Sequence, residues 1–420
     1  MHFGGSPGAG AGPRTGGPAS GGDPPKPPVP RSAAMWGASA RSLAKAASIA
    51  DLRVLARRRL PKAVFDFIDG AAGDETTLAD NQAAFGDWQL MPRVGVDVSR
   101  RDLGADFLGR AAKLPLMLSP TGLTGFFWPH GEIAAARAAG NRGIPFCLST
   151  NSVAALEQVA EAAPDTDLWF QLYVMRDRGL TDQLVARAAA AGYRVLCITV
   201  DLPLTGRRER DVRNGFTMPL KPRLSNMLDL ARRPGWLLGV MRAPPTFGNF
   251  KTDNASGFTN IAQHVSTLFD PSVTWDDIAR LRRLWKGPVA IKGILHPDDA
   301  RMAVDIGADA VIVSNHGGRQ LDHVPAPITA LPDIAEAVGE RAQLIVDSGV
   351  RRGTDILTAR ALGAVGCSIG RPFLWGLASA GEAGVDHAIK LLAAEIDIAM
   401  ALLGTASLDA ITADHLRRRR

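Results

Sequence analysis

The sequence has few cysteines, no long hydrophobic run and no cluster of residues spaced to bind a metal. Its only cysteines, Cys147, Cys197 and Cys367, each lie in a short apolar segment, and none belongs to a CxxC pattern. This excludes a disulfide framework and a zinc site, and it predicts reduced thiols in the core of a cytoplasmic protein. No stretch of about 18 apolar residues predicts a membrane-spanning helix. The first residues lack the basic start and apolar centre of a signal peptide.

Excess charge of one sign is also scarce through most of the chain. The formal net charge is +6, and the terminal residues Arg417 to Arg420 contribute four of these charges. The high isoelectric point is therefore mostly a property of the tail and does not indicate a nucleic-acid partner. Hydrophobic residues make up 46% of the chain and charged residues 21%, which provides enough material for a large core and excludes disorder throughout.

Composition divides the chain into two parts. Residues 1–46 consist mainly of Gly, Pro, Ala and Ser, so we predict a disordered N-terminal extension. Residues 47–420 have the composition of one folded domain. That domain opens with two short helices separated at Pro61, and Ser48 is the expected N-cap of the first. We expect these helices to cover one end of the main fold.

From Leu114 onward, short apolar runs alternate with helical patterns, which is typical of parallel βα units. Eight such units with no strand left over predict an α/β protein with a single closed (β/α)8 TIM barrel. The predicted strands are 114–119, 144–149, 168–174, 194–200, 288–292, 310–314, 343–347 and 365–370.

One connection is far longer than the others. Residues 202–274, after the fourth strand, form an insertion where a typical loop has fewer than about six residues. Within it, residues 223–250 combine Leu, Met, Trp and Phe with arginines, the composition of an interfacial amphipathic helix. Two interpretations remain open here: an active-site lid or subunit contact, and a surface that attaches to a membrane.

Glycines and arginines follow the last two strands. The segments DSGVRRG (347–353) and IGRP (369–372) let backbone N–H groups approach an anion while guanidinium groups add charge. This is the usual phosphate site of a barrel, so we predict a phosphate or a phosphorylated cofactor there. Lys292, at the fifth strand, is expected to place a buried cation at the barrel mouth, where it would stabilise an anion such as a reduced flavin.

The segment SNHGGRQLD (314–322) follows the sixth strand and carries a histidine and an arginine three residues apart. Arg319 can bind a carboxylate through two hydrogen bonds while His316 lies near the adjacent carbon or hydroxyl. Asp201, after the fourth strand, is placed to stabilise a protonated imidazole. The alternatives are a structural histidine and a turn-capping aspartate.

These motifs together resemble the FMN-dependent 2-hydroxy-acid dehydrogenases and oxidases. The resemblance rests on SNHGGRQLD, DSGVRRGTDI, ALGAVGCSIGRPFLWGLA, WFQLYV, ITVD followed by GRRERDVRNGF, SPTGL, and LPKAVFDFIDGAAGDETTL. It spans about residues 48–417 with the motifs in the family's order. It implies a TIM-barrel oxidoreductase acting on a CH–OH group, with FMN as cofactor and a homotetrameric assembly.

The resemblance also implies roles for individual residues. His316 matches the active-site base and Asp201 the carboxylate that stabilises it. Arg319 and Arg208 match the arginines that bind the substrate carboxylate, and Tyr173 matches the tyrosine beside the substrate hydroxyl. The implied cofactor-binding residues are Pro120, Thr121 and Gly122 near flavin N5; Ser149, Gln171 and Thr199 along the ring; Lys292 near N1 and O2; and Ser314, Asp347, Gly349, Arg351, Gly370 and Arg371 at the ribityl chain and phosphate.

Two positions depart from the family pattern. Phe67 stands where most members have a tyrosine whose hydroxyl helps to bind the substrate carboxylate. The chain has only two tyrosines beside 15 phenylalanines, so the retention of Tyr173 is informative. Loss of one hydrogen bond to a charged group weakens binding by roughly 1.5–3 kcal/mol, unless Phe67 packs on a larger, aromatic substrate. Gly122 stands where many oxidases have alanine, which favours a dehydrogenase.

We therefore expect an enzyme that oxidises an L-2-hydroxy acid similar to lactate or mandelate. A membrane quinone is the expected electron acceptor, and the expected location is the cytoplasm or the cytoplasmic face of the inner membrane. The main alternative is an oxidase that reduces oxygen to hydrogen peroxide. An isomerase of a phosphorylated substrate and a flavin-binding protein without turnover are the remaining alternatives.

Overall fold

Eight short parallel strands close into a barrel in the computed structural model, which describes residues 39–215, 224–245, 247–250 and 269–419. The predicted TIM barrel is thereby confirmed. The barrel strands are β4 (Leu116–Leu118), β5 (Phe146–Ser149), β6 (Leu168–Leu172), β7 (Val195–Thr199), β8 (Val289–Ile294), β9 (Ala310–Val313), β10 (Gln343–Asp347) and β11 (Gly366–Ile369). Each predicted apolar run overlaps one of them. β11 pairs with β4 in parallel and closes the barrel.

Helices follow the barrel strands, as the alternating pattern of the sequence predicted, and further helices precede the barrel and lie in the insertion. Their bounds are α1 (Ala40–Ala44), α2 (Ile49–Arg59), α3 (Lys62–Asp69), α4 (Thr76–Ala83), α5 (Gly131–Arg142), α6 (Leu156–Ala162), α7 (Arg178–Ala190), α8 (Glu209–Asn214), α9 (Leu224–Ala231), α10 (Pro234–Arg242), α11 (Trp275–Leu284), α12 (Pro297–Asp305), α13 (Pro327–Val338), α14 (Gly353–Ala361), α15 (Arg371–Ala380) and α16 (Glu382–Leu403). Short 3-10 turns occur at Ala84–Asp87, Thr124–Phe126, His316–Gly318, Leu408–Ala410 and Ala413–His415.

Side chains along each barrel strand alternate between two cores. In β4, Leu116 and Leu118 belong to the layer between strands and helices, whereas Met117 faces the barrel interior with Trp169 and Ile312. This period of two is what an extended strand imposes. The interior is filled by side chains, so the barrel is a packed core and not a channel. All three cysteines are buried and free, as the sequence predicted.

The two entry helices also form where the sequence predicted them. The Ser48 side chain accepts a hydrogen bond from the Asp51 N–H and caps α2, and Pro61 separates α2 from α3. α2 packs against α15, and α3 ends beside the carboxyl ends of the barrel strands, where Phe67 and Ile68 line a pocket. The entry helices thus cover the end of the barrel that carries the site.

A two-stranded antiparallel sheet joins distant parts of the chain. β1 (Trp88–Leu90) pairs with β12 (Leu416–Arg418), with Gln89 opposite Arg417. A second small sheet pairs β2 (Ala105–Asp106) with β3 (Ala111–Ala112). The basic tail that accounts for most of the net charge is therefore partly a strand, which its composition did not predict.

The insertion contributes α8, α9 and α10 within its described residues. The Trp236 indole N–H donates to the carbonyl of Phe126 at 2.7 Å and holds α10 against the barrel. Asn249 accepts a hydrogen bond from the Leu156 N–H at 2.9 Å and donates to the Thr150 carbonyl at 3.0 Å. The predicted amphipathic segment is thus helical over most of its described part.

Two of the predicted regions lie partly outside the described residues. These are the N-terminal extension, of which the first 38 residues are not described, and the insertion. The helix α1 lies within the segment that was predicted as an extension.

Among the described helices, none combines the length and the apolar character that a bilayer crossing requires. Over the same residues, no group of three or more His, Cys, Asp or Glu side chains is arranged to hold a metal ion.

Candidate active site

A cavity of about 540 Å³ opens at the carboxyl ends of the barrel strands. TIM-barrel enzymes carry their active sites at this end, because the loops after the strands converge there. Predicted site residues on its wall are Pro120, Thr121, Gly122, Ser149, Tyr173, Arg208, Lys292, His316, Arg319, Asp347, Gly349, Arg351, Gly370 and Arg371.

His316 and Asp201 form a hydrogen-bonded pair at the edge of this cavity. The imidazole Nδ1 lies 2.9 Å from the Asp201 Oδ1, and the His316 side chain is 22% exposed. Burial raises the pKa of Asp201, but the neighbouring His316 and Lys292 outweigh burial, so the net pKa is lowered. Asp201 is therefore a carboxylate that can accept the Nδ1 proton, so that Nε2 is the ring nitrogen directed away from this pair.

Two guanidinium groups line the same cavity as the imidazole, and both contact the Phe67 ring. The centres of the Arg319 and Arg208 guanidinium groups are 4.9 and 5.8 Å from the centre of that ring. Arg319 Nη1 donates to the carbonyls of Phe67 and Gly70 at 2.6 and 3.1 Å. Burial, together with Arg208 and Arg371, lowers the pKa of Arg319 well below its usual value. Two buried like charges favour an anion between them.

One more carboxyl group faces the two arginines. Asp211 Oδ2 lies 3.7 Å from the Arg208 Nη1. Burial raises the pKa of Asp211 despite the opposing effect of Arg319 and Arg208. The arginines are therefore only partly neutralised by the protein.

Tyr173 also lines the cavity. Its ring meets Phe269 edge to face, with the ring centres 5.2 Å apart. Burial, and to a lesser extent Asp201, raises the pKa of Tyr173. The phenol therefore stays protonated and can donate a hydrogen bond to a ligand.

The floor of the cavity is a network of polar side chains, those of Lys292, Asp347, Ser119, Ser314 and Ser368, in which Ser119 Oγ lies 2.6 Å from Ser368 Oγ. Lys292 Nζ lies 2.8 Å from Ser314 Oγ and 3.1 Å from Asp347 Oδ2. Asp347 also accepts hydrogen bonds from Ser119 at 2.7 Å and from Ser314 at 2.6 Å. Burial opposes the charge on Lys292, but Asp347 and Asp201 raise its pKa overall. The predicted buried cation, Lys292, is thus present and forms an ion pair with Asp347. It lies within β8 and not at the strand end as predicted, because β8 continues to Ile294.

The loops after β10 and β11 bring two further guanidinium groups together. Burial, with Arg371 as a neighbour, lowers the pKa of Arg351 to about 9, and burial lowers the pKa of Arg371 to about 10. Gly349 has φ +85°, and a Cβ atom there would lie 2.0 Å from the carbonyl oxygen of Asn81. Glycine is therefore required at this position, and an anion would offset the cost of burying both cations.

Three of the predicted cofactor-binding residues carry a buried polar atom that has no hydrogen-bond partner within the described part of the chain. These atoms are Gln171 Nε2, Thr199 Oγ1 and Arg351 Nε. The Gln171 Oε1, by contrast, accepts from the Ser149 hydroxyl at 3.1 Å. Buried donors without a partner are costly, so they indicate a polar ligand. FMN consists of a flat polar ring system joined to a phosphate. Its ring would fit along β6 and β7, and its phosphate would fit at Arg351 and Arg371.

The remaining predicted residues lie directly behind the wall of the cavity. Asp201 contacts His316, Gln171 contacts Ser149, and Ser314 contacts Lys292. Thr199 lines an adjoining cavity that shares Tyr173 with the main one.

The sequence motifs assigned no role to several residues of the site. Ser119 belongs to the floor network, and Ser348 accepts a hydrogen bond from the Gly317 N–H at 2.9 Å. Both precede or follow a predicted site residue, so proximity along the chain could have found them. Phe269 could not have been found this way, because it returns to the cavity from the far end of the insertion.

Comparisons with known proteins agree with this geometry. The family model for FMN-dependent dehydrogenase matches residues 56–418. An L-lactate dehydrogenase of Caulobacter sp. is 46% identical over 368 residues, which cover 87% of this chain and 96% of that protein. An L-lactate oxidase of Nostoc sp. is 45% identical over 366 residues, covering 86% and 95% of the two chains. The crystal structure of a monotopic membrane protein, (S)-mandelate dehydrogenase, superposes with a TM-score of 0.87 at 40% identity and covers 89% of this chain and all of its own.

The predicted resemblance, barrel fold and FMN cofactor are thereby confirmed. The chain belongs to the FMN-dependent 2-hydroxy-acid dehydrogenase family and is an oxidoreductase that uses FMN.

Proposed function

We propose that this enzyme oxidises an L-2-hydroxy acid to the 2-oxo acid, with His316 as the base and with Arg319 and Arg208 holding the substrate carboxylate. The observation that carries the proposal is the arrangement of the charged groups on one cavity wall. The imidazole, fixed by Asp201 at 2.9 Å, faces the same cavity as the two arginines. A carboxylate bound by the arginines brings the hydroxyl-bearing carbon beside the imidazole.

Each residue then has a distinct task. Asp201 fixes the imidazole with Nδ1 protonated, so Nε2 accepts the substrate proton, and the resulting imidazolium is stabilised by the carboxylate. The Tyr173 hydroxyl donates a hydrogen bond to the substrate oxygen. FMN, when bound, accepts the two electrons. We assign it to Pro120, Thr121, Gly122, Ser149, Gln171, Thr199, Lys292, Ser314, Asp347, Gly349, Arg351, Gly370 and Arg371.

The substrate that we propose is lactate or a mandelate-like acid. Aromatic side chains line the cavity at Phe67, Phe127, Phe247 and Phe269. They provide an apolar surface for a methyl or an aryl group at the substrate α-carbon. Support also comes from the relatives, which carry the names L-lactate dehydrogenase and (S)-mandelate dehydrogenase.

Anaerobic reduction of the flavin tests this assignment directly. Mixing the yellow enzyme with L-lactate or (S)-mandelate under nitrogen should bleach the flavin absorbance, whereas the D enantiomers should not. His316→Gln should give a folded, yellow protein whose rate of bleaching falls at least ~100-fold, because general-base catalysis contributes about that much or more. A variant that keeps more than about a tenth of the wild-type rate would contradict the role of His316.

We further propose a membrane quinone as electron acceptor and attachment to the cytoplasmic face of a membrane. Apolar side chains of α9 and α10 are exposed, namely Met227, Leu228, Leu237, Leu238 and Met241. Arg232, Arg233 and Arg242 lie close to them in the sequence. Apolar residues flanked by basic ones suit an interface with anionic lipids. The (S)-mandelate dehydrogenase neighbour is described as a monotopic membrane protein.

Cell fractionation tests the membrane attachment, and a hydrogen peroxide assay tests the oxidase alternative. Replacing Met227, Leu228, Leu238 and Met241 by glutamate should release the enzyme from membranes while its flavin is still reduced by substrate. Unchanged membrane association would exclude this surface. Production of hydrogen peroxide at the rate of substrate oxidation would instead identify an oxidase, the activity named for the Nostoc relative.

We also propose that residues 47–420 form one domain with its insertion at about 202–274, that residues 1–46 form an extension, and that the enzyme is a homotetramer. Light scattering of the purified protein over a range of concentrations measures the assembly. A mass of one or two chains at every concentration would contradict the tetramer.

A further inference from the structure

The turn that carries His316 has an unusual backbone. His316, Gly317 and Gly318 have φ values of 59°, 69° and 74°, so three successive residues are left-handed. A residue with a Cβ atom pays roughly 1–2 kcal/mol in this region, and runs of such residues are uncommon. The imidazole therefore keeps its place only if surrounding groups hold the turn.

Hydrogen bonds to the turn come from several elements. The Gly317 N–H donates to Ser348 Oγ at 2.9 Å, and its carbonyl accepts from Arg371 Nη1 at 2.9 Å. The Gly318 N–H donates to Asn315 Oδ1 at 3.2 Å, and its carbonyl accepts from the Ala72 N–H at 2.9 Å. The Gly318 N–H also lies 3.1 Å from the main-chain carbonyl of Asn315, so the main chain and the side chain of Asn315, which immediately precedes His316, close the turn together.

Asn315 is in turn held by a second buried amide. Asn81 Nδ2 donates to Asn315 Oδ1 at 2.9 Å, and Asn315 Nδ2 donates to Asn81 Oδ1 at 2.6 Å. Both side chains belong to residues that are almost fully buried, at 1% and 4% exposed. A reciprocal pair of this kind requires a donor and an acceptor on each partner.

The orientation of the Asn315 amide is fixed independently of Asn81. Its Oδ1 accepts from the Gly318 N–H, and its Nδ2 also donates to the Pro325 carbonyl at 3.1 Å. Rotating the amide by 180° would break both contacts. Asn81 must therefore present an N–H to Oδ1 and an oxygen to Nδ2, which an aspartate carboxylate cannot do.

The helix that carries Asn81 is in direct contact with both loops of the site. A Cβ atom at Gly318 would lie 2.9 Å from the Leu78 backbone nitrogen. A Cβ atom at Gly349, in the loop after β10, would lie 2.0 Å from the Asn81 carbonyl oxygen. α4 thus packs without a gap against the turn of His316 and against the predicted phosphate loop.

We propose that Asn81 is a positioning residue for catalysis, which acts through Asn315 to hold the left-handed turn and thereby the His316 imidazole. The inference rests on the proposed role of His316 as the base. Asn81 itself does not line the cavity, so its contribution is to geometry and not to substrate binding. Small displacements of a catalytic group are costly, about 100-fold for about 1 Å.

The test is Asn81→Asp in the FMN-loaded enzyme. The change keeps the shape of the side chain but places an oxygen opposite the Asn315 Oδ1. We expect kcat to fall about 10- to 100-fold. KM and the dissociation constant of oxalate, used as a carboxylate probe without an α-hydrogen, should stay within about twofold, because Arg319 is also held by the carbonyls of Phe67 and Gly70 and Arg208 lies on another segment. The flavin content should remain that of the wild type.

Gln82→Glu is the matched control. It makes the same amide-to-acid change on the adjacent residue of α4, where the side chain is exposed and donates to the Leu78 carbonyl of its own helix. Its kcat should equal that of the wild type. Asn81→Ala provides a second test without a new charge, and we expect a loss in kcat of about tenfold with KM unchanged.

The outcomes separate clearly. The inference is overturned if both Asn81 variants keep the wild-type kcat, or if oxalate binding and kcat fall equally. It is also overturned if neither variant accumulates as a flavoprotein, because Asn81 would then be needed for folding. If His316→Gln is inactive and Asn81→Asp is fully active, the inference fails and the proposed function stands. If His316→Gln remains active, the proposed function itself fails.

Discussion

Buried charge is balanced differently on the floor of the cavity and on its substrate-facing wall, which is formed by Arg208, Arg319 and Phe67. On the floor, Lys292 is balanced by Asp347, and Ser119 and Ser314 supply hydrogen bonds to that carboxylate. On the wall, Arg208 lies 3.7 Å from the carboxyl of Asp211, whose pKa is raised by burial, and burial lowers the pKa of both Arg208 and Arg319. The charge on the floor is matched one to one by Asp347, whereas the two arginines of the wall are only partly neutralised.

This difference indicates which parts of the site exist before a ligand arrives. A satisfied network of buried polar groups keeps its geometry and supports stability. Buried guanidinium groups that are only partly neutralised cost stability, and an anionic ligand recovers that cost as binding energy. Substitutions on the floor should therefore reduce stability, and substitutions on the wall should reduce activity.

The largest expected effect is on the floor. Asp347→Asn leaves the Lys292 ammonium buried without its counter-charge, so the free energy of unfolding should fall by about 3–5 kcal/mol. Urea unfolding of the FMN-loaded protein measures this change. Asp305→Asn, which removes a carboxylate from an exposed pair with Arg341, is the control and should change stability by less than about 0.5 kcal/mol.

The pH dependence of the same comparison has a defined sign. Burial opposes ionisation of Asp347, but Lys292 and the two serines lower its pKa below the usual 3.8. A lowered folded-state pKa gives stability that is present above the unfolded-state value and is lost as pH falls through the folded-state value. The difference in stability between wild type and Asp347→Asn should therefore shrink below about pH 4. A difference that grows toward low pH would contradict the ion pair.

The next effect is on the wall. Arg319→Met should lower kcat/KM by about 100- to 1,000-fold, because it removes a buried, charged donor to the substrate carboxylate. The free energy of unfolding should change by less than about 1 kcal/mol, since loss of two carbonyl hydrogen bonds is offset by relief of repulsion with Arg208. Arg213→Met, at a largely exposed arginine that pairs with Glu209, is the control for loss of one positive charge. A stability loss comparable to that of Asp347→Asn would remove the distinction between wall and floor.

An anion bound by Arg208 and Arg319 should stabilise the wild-type protein. Oxalate at about 100 times its dissociation constant should raise the free energy of unfolding by about 2.7 kcal/mol. Thermal denaturation with and without oxalate measures this, and chloride at equal ionic strength is the control. Arg319→Met should lose most of the gain, whereas a shift of equal size in that variant would place the anion elsewhere.

The smallest expected effect comes from the ring that both arginines contact. Phe67→Tyr adds a hydroxyl at the position where the family resemblance implies a tyrosine, so the KM for lactate should fall by about tenfold, equivalent to about 1.4 kcal/mol. The kcat should be unchanged. If KM rises for mandelate while it falls for lactate, Phe67 serves a larger apolar substituent on the substrate.

The barrel could be predicted from the sequence because each of its strands is marked by a local pattern of residues. Each strand is a short apolar run, and buried parallel strands produce such runs without reference to the rest of the chain. The proximity of Asp201 and His316 could be predicted as well, because the carboxyl ends of all barrel strands meet at one rim. Their distance of 2.9 Å is consistent with that expectation.

What could not be predicted depends on contacts between distant segments. Nothing in the segment TTLADNQA marks Asn81 as a partner of Asn315, because an asparagine in a helix is ordinarily a surface residue. The left-handed φ of His316 was equally inaccessible, since this region is uncommon for any residue other than glycine, although histidine is enriched there. The pairing of Lys292 with Asp347 required the positions of two strands, β8 and β10, that are not neighbours in the barrel.

The small sheet of β1 and β12 has a consequence for biosynthesis. Gln89 and its partner Arg417 are 328 positions apart, so the ribosome has made the whole barrel before the second strand exists. Until then, Trp88–Leu90 is an unpaired edge that can bind other extended chains. The nascent polypeptide is therefore exposed to misassociation at this edge until its last strand has emerged.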